Sequence, residues 1–177
     1  MNQCILISGC SGGGKSSLLA DLSKRGYSTV EEPGRRIIAE EKNRAGKALP
    51  WINMEAFARR AVEVSKSDLQ EAEDKPGFVF FDRGMVDAAV ALQNTSGVPY
   101  RDTIGDKMHY AKIVFLAPPW PEIFAQDIDR RHGLNDAFGE FERLDVAFHD
   151  LGYRTCLLPK ISVSERAEFV LGHIQNQ

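Results

Sequence analysis

The sequence lacks the features of a secreted, disulfide-bonded or membrane protein. It has three cysteines, Cys4, Cys10 and Cys156, and this odd number at unrelated spacings predicts neither a disulfide framework nor a zinc site. No run approaches the roughly 20 apolar residues that cross a bilayer. The apolar stretch at residues 4–7 is too short for the core of a secretory signal. These absences predict a cytoplasmic protein with reduced thiols and no membrane partner.

The sequence also lacks a strong excess of charge. Its 22 Lys and Arg residues against 25 Asp and Glu residues give a formal net charge of −3, so no nucleic-acid partner is expected. Apolar residues make up 43% of the chain, which is too many for a disordered protein. A chain of 177 residues is long enough to bury a real core. We therefore expect one domain that spans residues 1–177.

Short apolar runs alternate with segments of helical periodicity, which is typical of an α/β fold. The predicted strands cover residues 3–8, 27–31, 78–82, 113–117 and 153–158. One predicted helix follows the glycine-rich loop and ends near Gly26, and three others cover residues 33–44, 53–74 and 162–174. The last helix begins with a capping box of Ser162 and Glu165 and is expected to bury Val163. Helical crossovers predict a five-stranded parallel sheet covered on both faces.

Residues 9–16, GCSGGGKS, fit the phosphate-loop pattern G-x-x-x-x-G-K-[ST] between a strand and a helix. Glycines let successive amides point at phosphate oxygens, and the following helix adds its positive end. Lys15 would reach the β- and γ-phosphates, and Ser16 would ligate Mg²⁺. An ordinary glycine-rich turn is the alternative. The pattern predicts binding of ATP or GTP with Mg²⁺ by Gly9, Ser11, Gly12, Gly13, Gly14, Lys15, Ser16 and Ser17.

Charged residues follow the third predicted strand. Asp82 ends this buried strand, where a P-loop fold places a second residue beside the Mg²⁺ ion. The alternative is that Asp82 only caps the next helix. Arg83 could clamp an anionic or hydroxylated ligand, and its alternative is a surface ion pair.

Two carboxylates follow the second predicted strand. Glu32 could accept a proton from a substrate hydroxyl as that oxygen attacks the γ-phosphate. A solvated loop acid is an equally open alternative. Glu31 is a weaker candidate base, because the two-residue alternation of a strand aims it at the other face.

An arginine-rich segment follows the fourth predicted strand and predicts an exposed, mobile lid around residues 127–143. Arg130 or Arg131 could neutralise charge on the transferred phosphate and exclude water. The alternative is a solvated helix face on which Asp127 pairs with these arginines.

Aromatic residues near the sheet edges give a further expectation. Trp51, with Phe57, Arg59 and Arg60, could line an acceptor pocket opposite the phosphate loop, although the helical spacing of Phe57 favours burial in the core. Trp120 is expected to pack in the core.

Longer segments resemble one family. The phosphate loop, RGYSTVEE, LPW before AFARR, FFDRG followed by Asp87, FLAPPW, DLGY and RAEFVL resemble the AAA-domain, ATPase-like family of P-loop proteins, which is similar to the kinase domain of NadR and to nucleoside and nucleotide kinases. The resemblance covers residues 2–171. It implies a three-layer P-loop fold with strand order 2-3-1-4-5. It also implies that Glu32 is the candidate base, Arg83 an anion clamp, and Arg130 and Arg131 lid arginines.

Three functions are compatible with these patterns. The first is an enzyme that transfers the γ-phosphoryl group of ATP, with Mg²⁺, to a small-molecule acceptor such as a nucleoside or nucleotide. In this enzyme the catalytic residues would be Lys15, Glu32, Asp82, Arg83, Arg130 and Arg131. The second is an ATPase or GTPase switch that acts through a protein partner. The third is a phosphate-binding module without catalysis.

Overall fold

A five-stranded sheet forms the centre of the molecule. A computed structural model describes residues 3–123 and 133–175. The strands are β1 (Gln3–Gly9), β2 (Ser28–Val30), β3 (Phe78–Asp82), β4 (Ile113–Ala117) and β5 (Arg154–Leu157). All neighbouring pairs run parallel, in the order β2-β3-β1-β4-β5. The predicted sheet and its strand order are therefore confirmed, and the second and fifth strands are each two residues shorter than the sequence predicted.

Helices cover both faces of this sheet. They are α1 (Lys15–Lys24), α2 (Pro33–Asn43), α3 (Met54–Glu73), α4 (Met85–Ser96), α5 (Tyr100–Ile104), α6 (Leu134–Asp150) and α7 (Val163–Gln175). One core cluster joins β-strand side chains to α1 and α7. A second cluster joins the opposite face to α4, α5 and α6, and a third joins α2, α3 and α4. Among the described helices, none combines the length and apolar composition that a bilayer span requires.

Helix α7 illustrates where the sequence pattern is reliable and where it is not. The predicted capping box is present: the Ser162 amide donates to Glu165 Oε2 at 3.1 Å, and the Glu165 amide donates to Ser162 Oγ at 3.4 Å. The prediction that Val163 is buried is wrong, since the residue is 37% exposed. Val163 is the first residue of the helix, and the core cluster on this face is reached only by residues further along, from Ala167 onward.

Helix α4 was not located from the sequence. Its buried residues are Met85, Val86, Asp87, Ala88, Ala89, Val90 and Leu92. A helix buried on most of its circumference shows no apolar stripe, so its periodicity is weak. This helix lies between the sheet and α3, and it carries one wall of the cavity described below.

The sheet brings the ends of three strands together. Strand β1 lies between β3 and β4, with Ile7 opposite Asp82 and Gly9 opposite Ala117. Ligands of open α/β sheets bind at the carboxyl ends of the strands. The loop that leaves β1 and the acidic end of β3 therefore lie side by side at the edge of the sheet where a ligand is expected.

Candidate active site

The loop between β1 and α1 has the backbone of a phosphate cradle. Gly9, Gly12 and Gly14 have φ angles of 116°, 82° and 73°, which residues with a Cβ rarely adopt. A Cβ at Gly9 would collide with the Ala117 carbonyl oxygen, and one at Gly13 would lie 2.8 Å from the Ala117 Cβ. Gly14 is the N-cap of α1 and has no side chain to accept the first amides of the helix. These amides are therefore suited to an anionic ligand.

Lys15 lies against the loop that precedes it. Its side chain is only 6% exposed, and its Nζ donates to the carbonyl oxygens of Cys10 at 2.7 Å and Gly9 at 3.4 Å. Burial lowers the pKa of Lys15, and the nearby charge of Arg83 lowers it further. The ammonium group is thus a buried charge at the phosphate loop, which an anionic ligand would stabilise.

Ser16 in the first turn of α1 contacts Asp82 at the end of β3. The Ser16 hydroxyl donates to Asp82 Oδ2 at 2.8 Å. Asp82 is 3% exposed, and its other oxygen, Oδ1, is buried without a hydrogen-bond partner among the described residues. Burial raises the pKa of this carboxyl. A buried carboxylate oxygen that lacks a partner beside a hydroxyl fits the oxygen ligands that Mg²⁺ prefers.

Arg83 is surrounded by carboxylates. Its Nη1 donates to Glu140 Oε1 at 2.6 Å and lies 3.6 Å from Asp87 Oδ1, and its Nε lies 3.4 Å from Glu32 Oε1. Burial disfavours the charge, but Glu140 and Glu32 outweigh it and raise the pKa of Arg83 above its usual value. Arg83 has a left-handed φ of 60°, and its amide donates to the Ile7 carbonyl at 2.9 Å. This conformation turns the side chain towards the carboxylates of three other elements.

Glu140 of α6 connects Arg83 to the phosphate loop. Its Oε2 accepts from the Ser11 amide at 3.1 Å while its Oε1 accepts from Arg83. Burial would raise the pKa of Glu140, but the Arg83 charge and hydrogen bond lower it to about 2. The sequence analysis did not identify Glu140, because it lies in the middle of a helix and 57 residues from Arg83. No local motif marks such a residue.

Glu32 lies between two guanidinium groups at the end of β2. Its side chain is 24% exposed, with Oε1 near Arg83 and Oε2 accepting from Arg35 Nε at 3.2 Å. Glu32 lines the cavity described below, whereas Glu31 is exposed. Both residues lie beyond Val30, the last residue of β2, so strand alternation does not explain their different placement.

Asp87 of α4 is buried beneath Arg83. Its Oδ1 accepts from the Ser8 hydroxyl at 2.5 Å, and its Oδ2 accepts from the Gly84 amide at 3.1 Å. Burial raises the pKa of Asp87 from its usual 3.8 to about 6, although Arg83 and Ser8 oppose this effect. Asp87 thus fixes the turn that carries Arg83, and it changes charge close to neutral pH.

Asp87→Asn should change how the free energy of unfolding depends on pH, relative to the wild type. In the folded wild type Asp87 takes up its proton as the pH falls through about 6, whereas in the unfolded chain it stays ionised until about pH 4. The folded state therefore binds more protons between these values, and acidification stabilises it through this group by up to about 3 kcal/mol.

The measurement is the free energy of unfolding in urea at pH 7.5 and pH 5. The wild type should gain about 1–2 kcal/mol relative to Asp87→Asn between these two values, because the variant has no proton to take up at this site. A difference between the two proteins that does not change with pH would contradict the assignment.

A cavity of about 500 Å³ opens beside the phosphate loop, between α2, α3, α4 and α6. Its polar end is formed by Ser11, Glu32, Arg83, Asp87 and Glu140. Its apolar wall includes Ile38, Met54, Phe57, Ala58, Ala61 and Leu144. The polar residues Arg35, Asn94, Thr95, Asp136 and Arg143 also line it. This size and a lining that combines apolar surface with several polar groups are typical of small-molecule sites.

The residues that line this cavity differ from those of the acceptor pocket that the aromatic residues predict. Phe57 lines the cavity, is partly buried and packs against the core cluster of α2, α3 and α4, so the expectation of core burial for Phe57 is met in part. Trp51, Arg59 and Arg60 are not among the residues that line it. Their partners lie outside the cavity.

The Trp51 ring faces the Lys42 ammonium group, at 5.6 Å. Arg59 pairs with Glu55 at 2.7 Å. Arg60 pairs with Glu40 and Glu41 of α2. These three side chains therefore stabilise α2 and α3 from outside the cavity.

Trp120, which the sequence analysis placed in the core, is partly buried, and its ring faces the guanidinium of Arg166.

Part of the predicted lid lies outside the described residues. Arg130 and Arg131 belong to the segment 124–132, of which the structure gives no description. The rest of the predicted lid, residues 133–143, begins α6 and includes Glu140. Among the described residues, no group of three His, Cys, Asp or Glu side chains could hold a metal ion by itself.

Solved structures of low sequence identity share this fold. The structure of NadR in complex with NR aligns with a TM-score of 0.70 at 16% identity, over 99% of this chain and 50% of the NadR chain. Shikimate kinase from Acinetobacter baumannii in complex with shikimate gives 0.63 at 17%, over 99% and 94% of the two chains. Deoxyadenosine kinase from M. mycoides with dCMP and dCDP gives 0.62 at 14%, over the full length of both. These similarities establish a P-loop kinase fold.

Sequence comparison identifies the family. No curated protein matches the chain in sequence. The family profile described as an AAA domain matches residues 4–166, which is most of the chain and includes the phosphate loop, Asp82 and Arg83. Together with the geometry of the loop between β1 and α1, this match shows that the chain belongs to the AAA-domain family of P-loop proteins.

Proposed function

We propose that this protein is a Mg²⁺-dependent P-loop phosphotransferase that moves the γ-phosphoryl group of ATP to a hydroxyl or phosphate group of a small molecule such as a nucleoside or nucleotide. The observation that carries the proposal is the 500 Å³ cavity that opens beside Ser11 of the phosphate loop. A phosphotransferase needs this arrangement, because the acceptor atom must lie in line with the transferred phosphorus. In this proposal the chain is one domain whose lid lies around residues 127–143.

The nucleotide would be held by residues 9–17. In P-loop proteins the loop amides and the N-terminus of the following helix bind the phosphates, and the lysine contacts the β- and γ-phosphates. Lys15 would exchange its bonds to two loop carbonyls for bonds to phosphate oxygens, which are stronger because both partners are charged.

Ser16 and Asp82 would hold the Mg²⁺ ion. The fit is supported by the buried Oδ1 of Asp82, which has no partner among the described residues, and by the adjacent Ser16 hydroxyl. The ion would neutralise charge on the phosphates when bound. Since no three-residue metal cluster occurs in the described part of the chain, the remaining ligands would come from the nucleotide and water.

Glu32 is the proposed general base. Its carboxylate lines the polar end of the cavity, where it could accept the proton of an acceptor hydroxyl. Arg83 on one side and Arg35 on the other fix its position. The anion clamp that the resemblance implies for Arg83 is a weaker role, because its Nη1 and Nε already lie against Glu140 and Glu32. Arg83 instead orients the carboxylates. Arg130 and Arg131 would supply lid charge during transfer.

An ATPase or GTPase switch is the weaker candidate. A switch that acts through a protein partner needs no acceptor cavity, whereas the apolar wall and polar end at the phosphate loop suit a small hydroxylated molecule. The solved proteins of this fold also support transfer, since two of the three compared above are kinases by name.

The test is a search for acceptor-dependent turnover. The purified protein is incubated with Mg·ATP or Mg·GTP and with nucleosides, nucleotides, ribosides and small hydroxy acids, and nucleoside diphosphate is measured. One acceptor class should raise the rate at least 100-fold over the rate without acceptor, and EDTA should abolish this rise. Nucleotide binding without any acceptor effect would contradict a phosphotransferase and favour the switch.

A further inference from the structure

Arg166 of α7 lies directly behind the phosphate loop. It is 1% exposed, and its guanidinium donates to two consecutive carbonyl oxygens, Gly13 at 3.0 Å through Nη2 and Gly14 at 3.4 Å through Nη1. In the sequence, Arg166 stands out only as the first residue of the family segment RAEFVL. The structure shows that this segment reaches back 153 residues to the loop that would bind phosphate.

The positive charge of Arg166 has no negative partner in residues 3–123 or 133–175. Its contacts there are the two carbonyl groups and the Trp120 ring, which lies 5.6 Å away. Its Nε is buried with no hydrogen-bond partner in the same described ranges, and burial lowers the pKa of Arg166. A buried cation without a carboxylate is costly. An anion bound nearby would offset this cost.

The two hydrogen bonds also determine where the loop amides point. A trans peptide is planar, with its carbonyl and the next amide on opposite sides. When the Gly13 and Gly14 carbonyls face Arg166, the amides of Gly14 and Lys15 therefore face away from it. The Gly14 carbonyl also accepts from the Leu18 amide at 3.3 Å, so the second of these peptides is fixed by α1 as well.

We propose that Arg166 is a positioning residue of the triphosphate site, which orients the amides of Gly14 and Lys15 towards the phosphates and whose buried charge is balanced by the bound triphosphate. This inference rests on the nucleotide binding in the proposed function. It adds a cation that never touches the ligand and acts through the Gly13 and Gly14 peptides. A purely structural Arg166 would stabilise α7 and leave nucleotide affinity unchanged.

The experiment compares the dissociation constant of Mg·ATP for three variants, by calorimetry at a temperature at which circular dichroism shows all of them folded. Arg166→Met should raise the constant at least tenfold, because both the charge and the two hydrogen bonds are lost. Arg166→Lys should raise it about threefold to tenfold, because an ammonium keeps the charge but not the planar pair of donors. Arg166→Lys also provides the measurement if Arg166→Met does not fold.

Arg25→Met is the matched control. Arg25 also joins α1 to α7, with its Nη2 donating to Ser164 Oγ at 2.8 Å and to the Ser164 carbonyl at 3.2 Å, but it lies at the other end of α1 from the loop. Arg25→Met should lower the melting temperature and leave the Mg·ATP dissociation constant within twofold of the wild type.

Two results would overturn the inference, and they are distinguishable. Wild-type and Arg166 variants that bind Mg·ATP within twofold of one another would overturn the role of Arg166 alone. A wild type that binds neither Mg·ATP nor Mg·GTP would overturn the proposed function and this inference with it. A Mg·ATP dissociation constant that rises from the wild type to Arg166→Lys and again to Arg166→Met, while that of Arg25→Met is unchanged, would support it.

Discussion

Lys15→Met should abolish the stabilisation of this protein by Mg·ATP without unfolding it. Lys15 is buried, its hydrogen bonds within the described residues go to two loop carbonyls, and burial lowers its pKa, so its charge stabilises a ligand rather than the empty fold. Mg·ATP at 100 times its dissociation constant should stabilise the wild type by about 2.7 kcal/mol. If affinity falls 100-fold in the variant, the same concentration stabilises it by only about 0.4 kcal/mol.

The measurement is the free energy of unfolding in urea, with and without Mg·ATP. Lys24→Met is the control, because Lys24 is exposed in the last turn of the same helix, and it should retain the full effect of Mg·ATP. Without nucleotide, Lys15→Met should be at least as stable as the wild type, since a buried charge has been replaced by an apolar chain of similar length. A variant that keeps more than about 2 kcal/mol of the stabilisation would show that Lys15 does not contact the phosphates.

The local parts of this site could be predicted from the sequence. The phosphate loop is a contiguous pattern, and its glycines are required by positive φ angles and by the close approach of Ala117. Asp82 could be placed because it ends a strand that is apolar on both faces, and such strands lie in the centre of a parallel sheet. Glu32 and Glu31 could also be told apart, but both lie beyond the end of β2, so the two-residue alternation of a strand is not the cause of their placement. Each of these inferences uses only a short segment of chain.

The remaining parts depend on contacts between distant segments. Glu140 meets Arg83 across 57 residues, Ser8 meets Asp87 across 79, and Arg166 meets Gly13 across 153. Hydrophobic periodicity treats a charged residue on a helix as exposed, so it assigns Glu140 and Arg166 to the surface. Both are held inward because a buried partner of complementary polarity compensates for the lost water. Only the packing of α6 and α7 on the sheet reveals these partners.

Glu32→Gln should reduce acceptor-dependent turnover by 10²- to 10⁴-fold while Mg·ATP still binds. Glutamine has nearly the same shape but cannot accept the hydroxyl proton, and the loss of a general base typically has an effect of this size. Arg83 keeps Glu140 and Asp87 as partners, so the polar end of the cavity should keep its form. The measurements are the kcat with an acceptor found in the turnover search and the dissociation constant of Mg·ATP, which should stay within threefold of the wild type.

Glu31→Gln provides a matched control for this variant, because it makes the same chemical change one residue away on the exposed side of the chain. It should retain turnover within twofold. Turnover of Glu32→Gln close to that of the wild type would show that another group takes the proton, and Asp87, whose buried carboxyl titrates near pH 6 at the same end of the cavity, would be the next residue to test. An equal loss of turnover and of Mg·ATP affinity would instead show that Glu32 supports the structure of the site and does not act as a base. A fall in kcat alone, confined to position 32, is the result that a base acting on the acceptor requires.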